Sequence, residues 1–229
     1  MLIFKRGAVF TPSNYRGIHI TAQLSKLAER MIKHITEPHL ERNNGFGNNQ
    51  FAYRKERGAR DALALLVIKW ITAFNNRDKI VVYCSDVAGA FDRVSAKRLI
   101  EKLYAKGVHP KIIKVFESWL EERNARVLVG GMQSAEMKIA NMVFQGTVLG
   151  PMLWLVFFED ASQPIIDAAF EEIIFADDLN AYKTYSKNTR NSRLLKQAAK
   201  CQRNLHDWGY ANQVQFEPTK RNCEYNLPP

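Results

Sequence analysis

The chain has 229 residues, 46% of them hydrophobic and 24% charged; this excludes a disordered, collagen-like or coiled-coil chain and suffices for one large domain or two small ones. Lysine and arginine number 33 against 23 aspartates and glutamates, a net charge of +10, which fits a polyanionic partner or simply a basic soluble protein. Leu24, Leu27, Ala28, Met31, Ile32 and Ile35 recur at helical spacing, as do Leu63, Leu66, Val67, Trp70, Ile71 and Phe74. Two helices with core-facing stripes are expected. Residues 80–84 form a continuous β-prone run, as in a strand covered on both faces. Ser95 can cap a helix bearing Leu99, Ile100, Leu103 and Tyr104. Pro110 opens another with Ile112, Ile113, Phe116, Trp119 and Leu120. Residues 126–142 read as a hairpin, because Gly130-Gly131 supplies the positive φ angles of a tight turn. Residues 149–158 read as a buried helix, and 173–176 and 179–182 as short strands around Asp177-Asp178. Leu194, Ala198, Cys201, Leu205 and Trp208 mark a last helix ending at Gly209, with weak strands at 214–216 and 223–225.

The charge is unevenly spread. Residues 1–60 carry 11 basic and 4 acidic side chains, net +7; residues 183–221 carry 9 and 2, again net +7. Between them, residues 61–182 carry 13 and 16, net −3. Basic flanks suit a nucleic acid; the acidic middle needs its own explanation. The longest apolar stretch, 148–158, is broken by Gly150 and Pro151 and is shorter than the ~20 residues of a membrane helix, so no membrane partner is expected. The start, Met1-Leu2-Ile3-Phe4-Lys5-Arg6, lacks the basic-then-apolar order of a secretory signal. Cys84, Cys201 and Cys223 show no CxxC spacing, which points to a reducing, intracellular compartment, nucleus or cytoplasm. His19, His34, His39, His109 and His206 show no metal-ligand spacing and are expected to be structural or exposed.

Asp177 and Asp178 lie between two apolar runs, at the tip of a hairpin. Like charges so close repel unless a proton or cation intervenes. Asp86 closes the buried run 80–84, so that strand delivers a third carboxylate to the end of a sheet. If the strand lies beside the hairpin, Asp86, Asp177 and Asp178 converge and bind a hard divalent cation through oxygen. Two Mg²⁺ ions ~3.5–4 Å apart are the usual device for in-line attack at phosphorus. A third element is Phe144-Gln145-Gly146-Thr147-Val148-Leu149-Gly150-Pro151. Its glycines permit close backbone approach, and Pro151 can start the following helix. Such a turn holds an anion or planar ligand, or is a plain loop-to-helix joint.

Asp86-Val87-Ala88-Gly89-Ala90-Phe91-Asp92, then Gln145-Gly146-Thr147-Val148-Leu149-Gly150-Pro151, then Phe175-Ala176-Asp177-Asp178 resemble motifs A, B and C of reverse transcriptases, in order and spacing. Upstream, Asn14-Tyr15-Arg16-Gly17-Ile18 and Leu24-Ser25-Lys26-Leu27-Ala28-Glu29-Arg30 resemble the fingers of non-LTR (LINE-type) retrotransposon enzymes. Gln50-Phe51-Ala52-Tyr53-Arg54 is similar to that family's Q-x-G-F-R stretch, with Ala52 in place of the usual glycine. Gly17 stands where many relatives have proline. Trp208 and Phe216-Glu217-Pro218-Thr219-Lys220 resemble motif D. The resemblance covers nearly the whole chain, and its specificity lies in the ordered set.

The resemblance implies an α+β fold, the fingers and palm of a right-hand polymerase, with an antiparallel palm sheet and helices on one face. Fingers would span residues 1–79 and palm 80–229, with a helical and hairpin insertion at about 96–142. No thumb, RNase H or endonuclease is expected in this chain. The implied function is RNA-directed DNA polymerisation, with an RNA template, a DNA primer and dNTPs as partners and two Mg²⁺ ions, or Mn²⁺ as a substitute, as cofactors. Asp86 and Asp177 would ligate the metals with Asp178 their companion. Phe91 would be the gate against a ribose 2′-OH. Gln145 and Gly146 would line the nucleotide pocket, Arg16 and Lys5 would grip the triphosphate, and Lys220 would protonate the leaving pyrophosphate. The alternatives are a catalytically incomplete nucleic-acid-binding remnant of a retroelement and a host-adapted or intron-encoded relative.

Overall fold

The computed structural model describes residues 1–5, 7–121, 123–139, 142–216 and 222–226, with backbone alone for Ser13 and 222–226. In chain order these form β1 (Leu2–Phe4), β2 (Tyr15–Gly17), α1 (Gln23–Arg42), α2 (Ala59–Asn75), β3 (Lys79–Asp86), α3 (Ala96–Ala105), α4 (Pro110–Leu120), β4 (Arg123–Ala125), β5 (Leu128–Val129), β6 (Met132–Gln133), β7 (Met137–Ile139), α5 (Gly150–Phe158), α6 (Gln163–Asp167), β8 (Glu171–Phe175), β9 (Asp178–Tyr185), α7 (Asn191–Asn212) and β10 (Asn222–Asn226). Among the described residues no helix is long and apolar enough to cross a membrane. The chain forms two compact units, residues 1–45 with 91–157 and residues 46–90 with 158–229.

The second unit is built on a four-stranded antiparallel sheet of order β10-β3-β9-β8. Period-two alternation sends Ile80 and Val82 of β3 to one face and Val81 and Tyr83 to the other. On the first face they join Ile173, Tyr182 and the α2 residues Ala62, Leu66 and Ala73 in one apolar cluster. On the second face α7 packs, with Leu194, Ala198, Cys201 and Leu205 buried. There the Tyr83 hydroxyl lies 3.3 Å from His206 Nε2, and the Tyr185 hydroxyl donates to Gln197 Oε1 at 2.7 Å. Helices therefore cover both faces, not one. The reason is visible in β3: a strand with four consecutive buried residues, 80–83, has no face to leave in water. Residues 46–79 build with this sheet rather than with the first 45 residues. The expected stop of α7 at Gly209 is also corrected. The helix runs on to Asn212, and Gln213 (φ 60°) makes the left-handed exit. Gly209 serves a close approach instead, since a Cβ there would sit 2.8 Å from the Val214 carbonyl oxygen.

In the first unit, α3 and α4 pack through Leu99, Leu103, Ile113 and Phe116, all buried. Ser95 precedes α3 but makes no side-chain cap; at α4, His109 caps by accepting from the Lys111 N–H, and Pro110 follows as expected. Residues 152–158 of α5 are each at most 2% exposed, as a helix apolar all round requires. β5 and β6 pair across Gly130 (φ 55°) and Gly131 (φ 82°), and β4 pairs with β7 behind them. Helix α1 reverses its expected polarity. Leu24 is 80% exposed, Leu27 53%, and Met31 and Ile35 61% each, while Glu29, Thr36 and Leu40 are buried. Its buried side follows a carboxylate and not the leucine stripe. Helix α2 departs likewise: Leu63, Val67, Ile71 and Phe74 are exposed while Leu66 is buried.

Candidate active site

The sheet register sets the first part of the site. β3 and β9 pair with Asp86 directly opposite Asp178, and the next partners on that face are Cys84 and Asn180. Directly paired residues in an antiparallel ladder have Cβ atoms about 4.5–5.5 Å apart, and like charges there are destabilising. Asp86 and Asp178 border a cavity of about 600 Å³ walled by the sheet residues Cys84 and Phe175 and by Ala62 and Leu66 of α2. Small side chains at Ala59 and Ala62 keep the start of α2 from filling it. β8 and β9 are joined by a two-residue turn, Ala176-Asp177, with Phe175 opposite Asp178. Ala176 takes φ 58°, a region disfavoured for any residue with a Cβ.

The expected convergence of three carboxylates is only partly formed. Among the described residues no group of three or more His, Cys, Asp or Glu side chains is arranged to hold a metal ion. Asp177 sits in the turn, outside the ladder, so the pairing that joins Asp86 to Asp178 does not extend to it. The donor chemistry nevertheless fits a hard cation: all three are oxygen donors within one sheet end, and two are register partners.

The remaining predicted residues fall in the first unit. Arg16 pairs with Ile3 in the β1–β2 ladder, and the Lys5 N–H donates to the Asn14 carbonyl at 2.8 Å. One small hairpin thus bears both cations, each exposed. Phe91 is half-buried; its carbonyl accepts from the Val143 N–H at 2.9 Å, and its ring lies 5.8 Å from that of Trp154. The Gln145 carbonyl accepts from the His19 N–H at 2.9 Å. Gly146 has φ +95°, and a Cβ there would meet Ile18 Cγ2 at 2.8 Å, so glycine is demanded twice over. Ahead of Gln145, the Phe144 ring receives the Arg123 guanidinium at 4.7 Å. Burial lowers the pKa of Arg123 while the charge of Glu29 opposes the shift. Lys220 lies outside the described residues.

Residues 3–223 match the family model described as reverse transcriptase (RNA-dependent DNA polymerase). This chain belongs to the reverse transcriptase family. Its relatives include the RNA-directed DNA polymerase from mobile element jockey of Drosophila melanogaster, 32% identical over 82% of this chain and 21% of that protein. Another is the probable RNA-directed DNA polymerase from transposon BS of the same species, 31% identical over 67% of this chain and 17% of that protein. The resemblance to non-LTR retrotransposon enzymes is thereby shown. The chain spans about a fifth of the length of these curated relatives. Among solved structures, apo telomerase from Candida tropicalis, truncated from its C-terminal domain, superposes with a TM-score of 0.58 at 15% identity, covering 90% of this chain and 42% of that one. Telomerase of that species in complex with a TWJ fragment of telomeric RNA gives 0.59 at 14%, covering 89% and 34%. The reverse transcriptase fold of fingers and palm is shared with both.

Two residues of this reverse transcriptase chain act structurally where the sequence offered no role for them. Glu29, buried in α1, accepts from the N–H groups of Val148 (2.7 Å) and Leu149 (3.1 Å) at the entry to α5. Its negative charge there complements the helix dipole. Gln50, also buried, bonds to the Ala176 turn. Both stand in stretches that resemble family motifs, yet their partners lie 119 and 126 residues downstream. No local pattern reports such a pairing.

Proposed function

We propose that this chain performs RNA-directed DNA polymerisation on an RNA template, extending a DNA primer with dNTPs. The observation that carries this reading is the placement of Asp86 opposite Asp178 at the edge of a cavity, in a chain of this family. Such a pair costs stability unless a cation or proton lies between its members. Asp86 and Asp177, with Asp178 beside them, would hold two Mg²⁺ ions, or Mn²⁺ in their place. When bound, the ions lower the pKa of the attacking hydroxyl and neutralise charge on the departing phosphate oxygens. The bond that forms joins the primer 3′ oxygen to the α-phosphorus; the bond that breaks releases pyrophosphate, and the hydroxyl proton leaves to water. Positioning supplies most of the remaining acceleration.

The other residues take roles by family resemblance. Arg16 and Lys5 would grip the triphosphate. Gln145 and Gly146 would line the nucleotide pocket, and Phe91, five positions after Asp86, would exclude the 2′-OH by bulk. Lys220 would return a proton to pyrophosphate. The telomerase that shares this fold is seen with an RNA fragment, which supports a nucleic-acid partner. The basic flanks then supply a salt-sensitive share of the affinity.

Primer extension on an oligo-primed RNA template with Mg²⁺ tests the reading. Extension by the wild-type chain, lost in Asp86→Asn and Asp177→Asn, supports it. Salt-sensitive binding of primer–template without extension under any metal would favour the nucleic-acid-binding remnant instead.

A further inference from the structure

We infer that Gln50 is the positioning residue of the catalytic turn: its side-chain amide holds Ala176-Asp177 in the conformation that presents the carboxylates. This rests on the polymerase reading above. Gln50 is 4% exposed. Its Oε1 accepts from the backbone N–H of Ala176 at 2.9 Å and of Ala52 at 3.0 Å, and its Nε2 donates to the Ala176 carbonyl at 3.2 Å. The amide thus grasps both backbone groups of Ala176, the residue with φ 58°. A carboxylate could accept the two N–H bonds but could not donate to the carbonyl; an alkyl chain could do neither. Two acceptor bonds and one donor bond from a single side chain demand glutamine.

The clamp is itself anchored. The Phe51 N–H donates to the Ile174 carbonyl, and the Ile174 N–H to the Asn49 carbonyl, each at 2.9 Å. Residues 49–51 therefore run along the outer edge of β8, next to the turn. Asn49 Nδ2 donates to Glu172 Oε1 at 3.0 Å. Arg54 donates to the Gly47 carbonyl at 2.6 Å, and Arg57 to the carbonyls of Asn48 and Gln50. The loop bearing Gln50 is thus fixed to the strand that leads into the turn. A two-residue turn with an alanine at positive φ is strained, and such a conformer persists only where its surroundings over-determine it. Gln50 supplies that constraint one residue from Asp177 and two from Asp178.

The test uses the full chain, with Mn²⁺ as probe metal, in wild type, Gln50→Met, Gln50→Glu, Asp86→Asn and the double variant Gln50→Met/Ala176→Gly. Measured are amide hydrogen exchange at Ala176, Mn²⁺ affinity by electron paramagnetic resonance, and kcat and KM for single-nucleotide addition. In Gln50→Met, exchange at Ala176 should accelerate, and Mn²⁺ affinity should fall by about 10–100-fold, the range seen when an outer-shell partner is lost. The kcat should fall with KM for dNTP unchanged. Ala176→Gly should restore part of the affinity, because glycine adopts that φ without a clamp; a merely structural role would give no such rescue. If Gln50→Met does not fold, Gln50→Glu, which keeps the acceptor but loses the donor and adds a charge, should still show faster exchange at Ala176. Mn²⁺ affinity within twofold of wild type in a folded Gln50 variant, with Asp86→Asn impaired, overturns the positioning role alone. Wild-type Mn²⁺ affinity in Asp86→Asn overturns the metal reading, and with it this one.

Discussion

The sheet end of the second unit and the glycine loop of the first both hold residues that resemble family motifs, but they are built by different means. At the sheet end, backbone pairing does the placing: eight residues of β3 face eight of β9, and Asp86 meets Asp178 because everything before them is in register. At residues 145–149 no ladder exists. Glu29 bonds two N–H groups there, His19 a carbonyl, and Gly146 takes a backbone shape open to few other residues. A ladder tolerates the loss of a side chain, since its hydrogen bonds belong to the backbone. A loop pinned by one buried carboxylate does not. The two regions should therefore fail differently: carboxylate substitutions cost activity but not stability, whereas pin substitutions cost stability first.

The largest expected effect is Asp86→Asn. It should reduce nucleotide addition by more than about 100-fold, beyond the loss typical of an outer-shell partner. Its melting temperature in metal-free buffer should change little, because the pairing that holds this strand end is made by the backbone. Single-turnover incorporation beside a thermal melt reads both. A large drop in melting temperature would show that Asp86 holds the fold as well, and would erase the contrast.

Glu29→Ala should show the reverse. It leaves the Val148 and Leu149 N–H groups without their acceptor, and a buried unsatisfied group costs about 1–3 kcal/mol. Urea denaturation should show the loss, while Glu29→Gln, which keeps an acceptor oxygen, should recover much of it. Gly146→Ala comes next. The left-handed φ and the contact with Ile18 should together cost about 1–3 kcal/mol. A neutral result in either variant would mean the loop is not pinned as described.

The same contrast explains what could be read from residues alone. A continuous β-prone run, a strand-terminal aspartate and an Asp-Asp turn are local patterns, and they put Asp86 at a strand end and Asp177 and Asp178 at a hairpin; that the strand lies beside the hairpin is a matter of the β3–β9 ladder. Gly130-Gly131 and Pro110 were equally legible, because φ preferences are local. Glu29 and Gln50 were not, since each meets its partner more than a hundred residues away. The stripe on α1 misled for a related reason. Periodicity reports that a helix has an apolar side, not that this side is the one buried; in α1 the side bearing Glu29, with its bond to the Val148 N–H, is buried, and Leu24, Leu27, Met31 and Ile35 face outward. Covering helices on both sheet faces were written in the run 80–83, whose meaning was narrowed by an analogy that assigned helices to one face.

The smallest effect tests whether side chains on the sheet matter at all away from the carboxylates. Glu171 on β8 accepts from Lys69 Nζ of α2 at 2.8 Å and from the Tyr182 hydroxyl at 3.0 Å. Burial alone would raise its pKa, but the bonds from Lys69 and Tyr182 outweigh that and hold it below the ordinary carboxylate value. The Tyr182 hydroxyl is pushed up, by burial first and then by Glu171. A depressed carboxylate contributes stability that is full above its unfolded pKa of about 4.3 and lost as pH falls through the folded value. A raised phenol contributes below about pH 10 and loses its contribution as pH rises beyond that. Lys69 and Glu171 are about half exposed, so solvent screening limits their pair to about 0.2–1 kcal/mol, less at high salt. Lys69→Ala should therefore shift the urea midpoint slightly at pH 7 and low salt, and the difference should vanish well below pH 4. Mn²⁺ affinity should not change, because Glu171 pairs with Tyr182 at the opposite end of β8 from Phe175 and the turn. A change in metal affinity from so distant a site would show that the ladder transmits side-chain losses along its length, and that backbone register does not by itself hold the carboxylates in place.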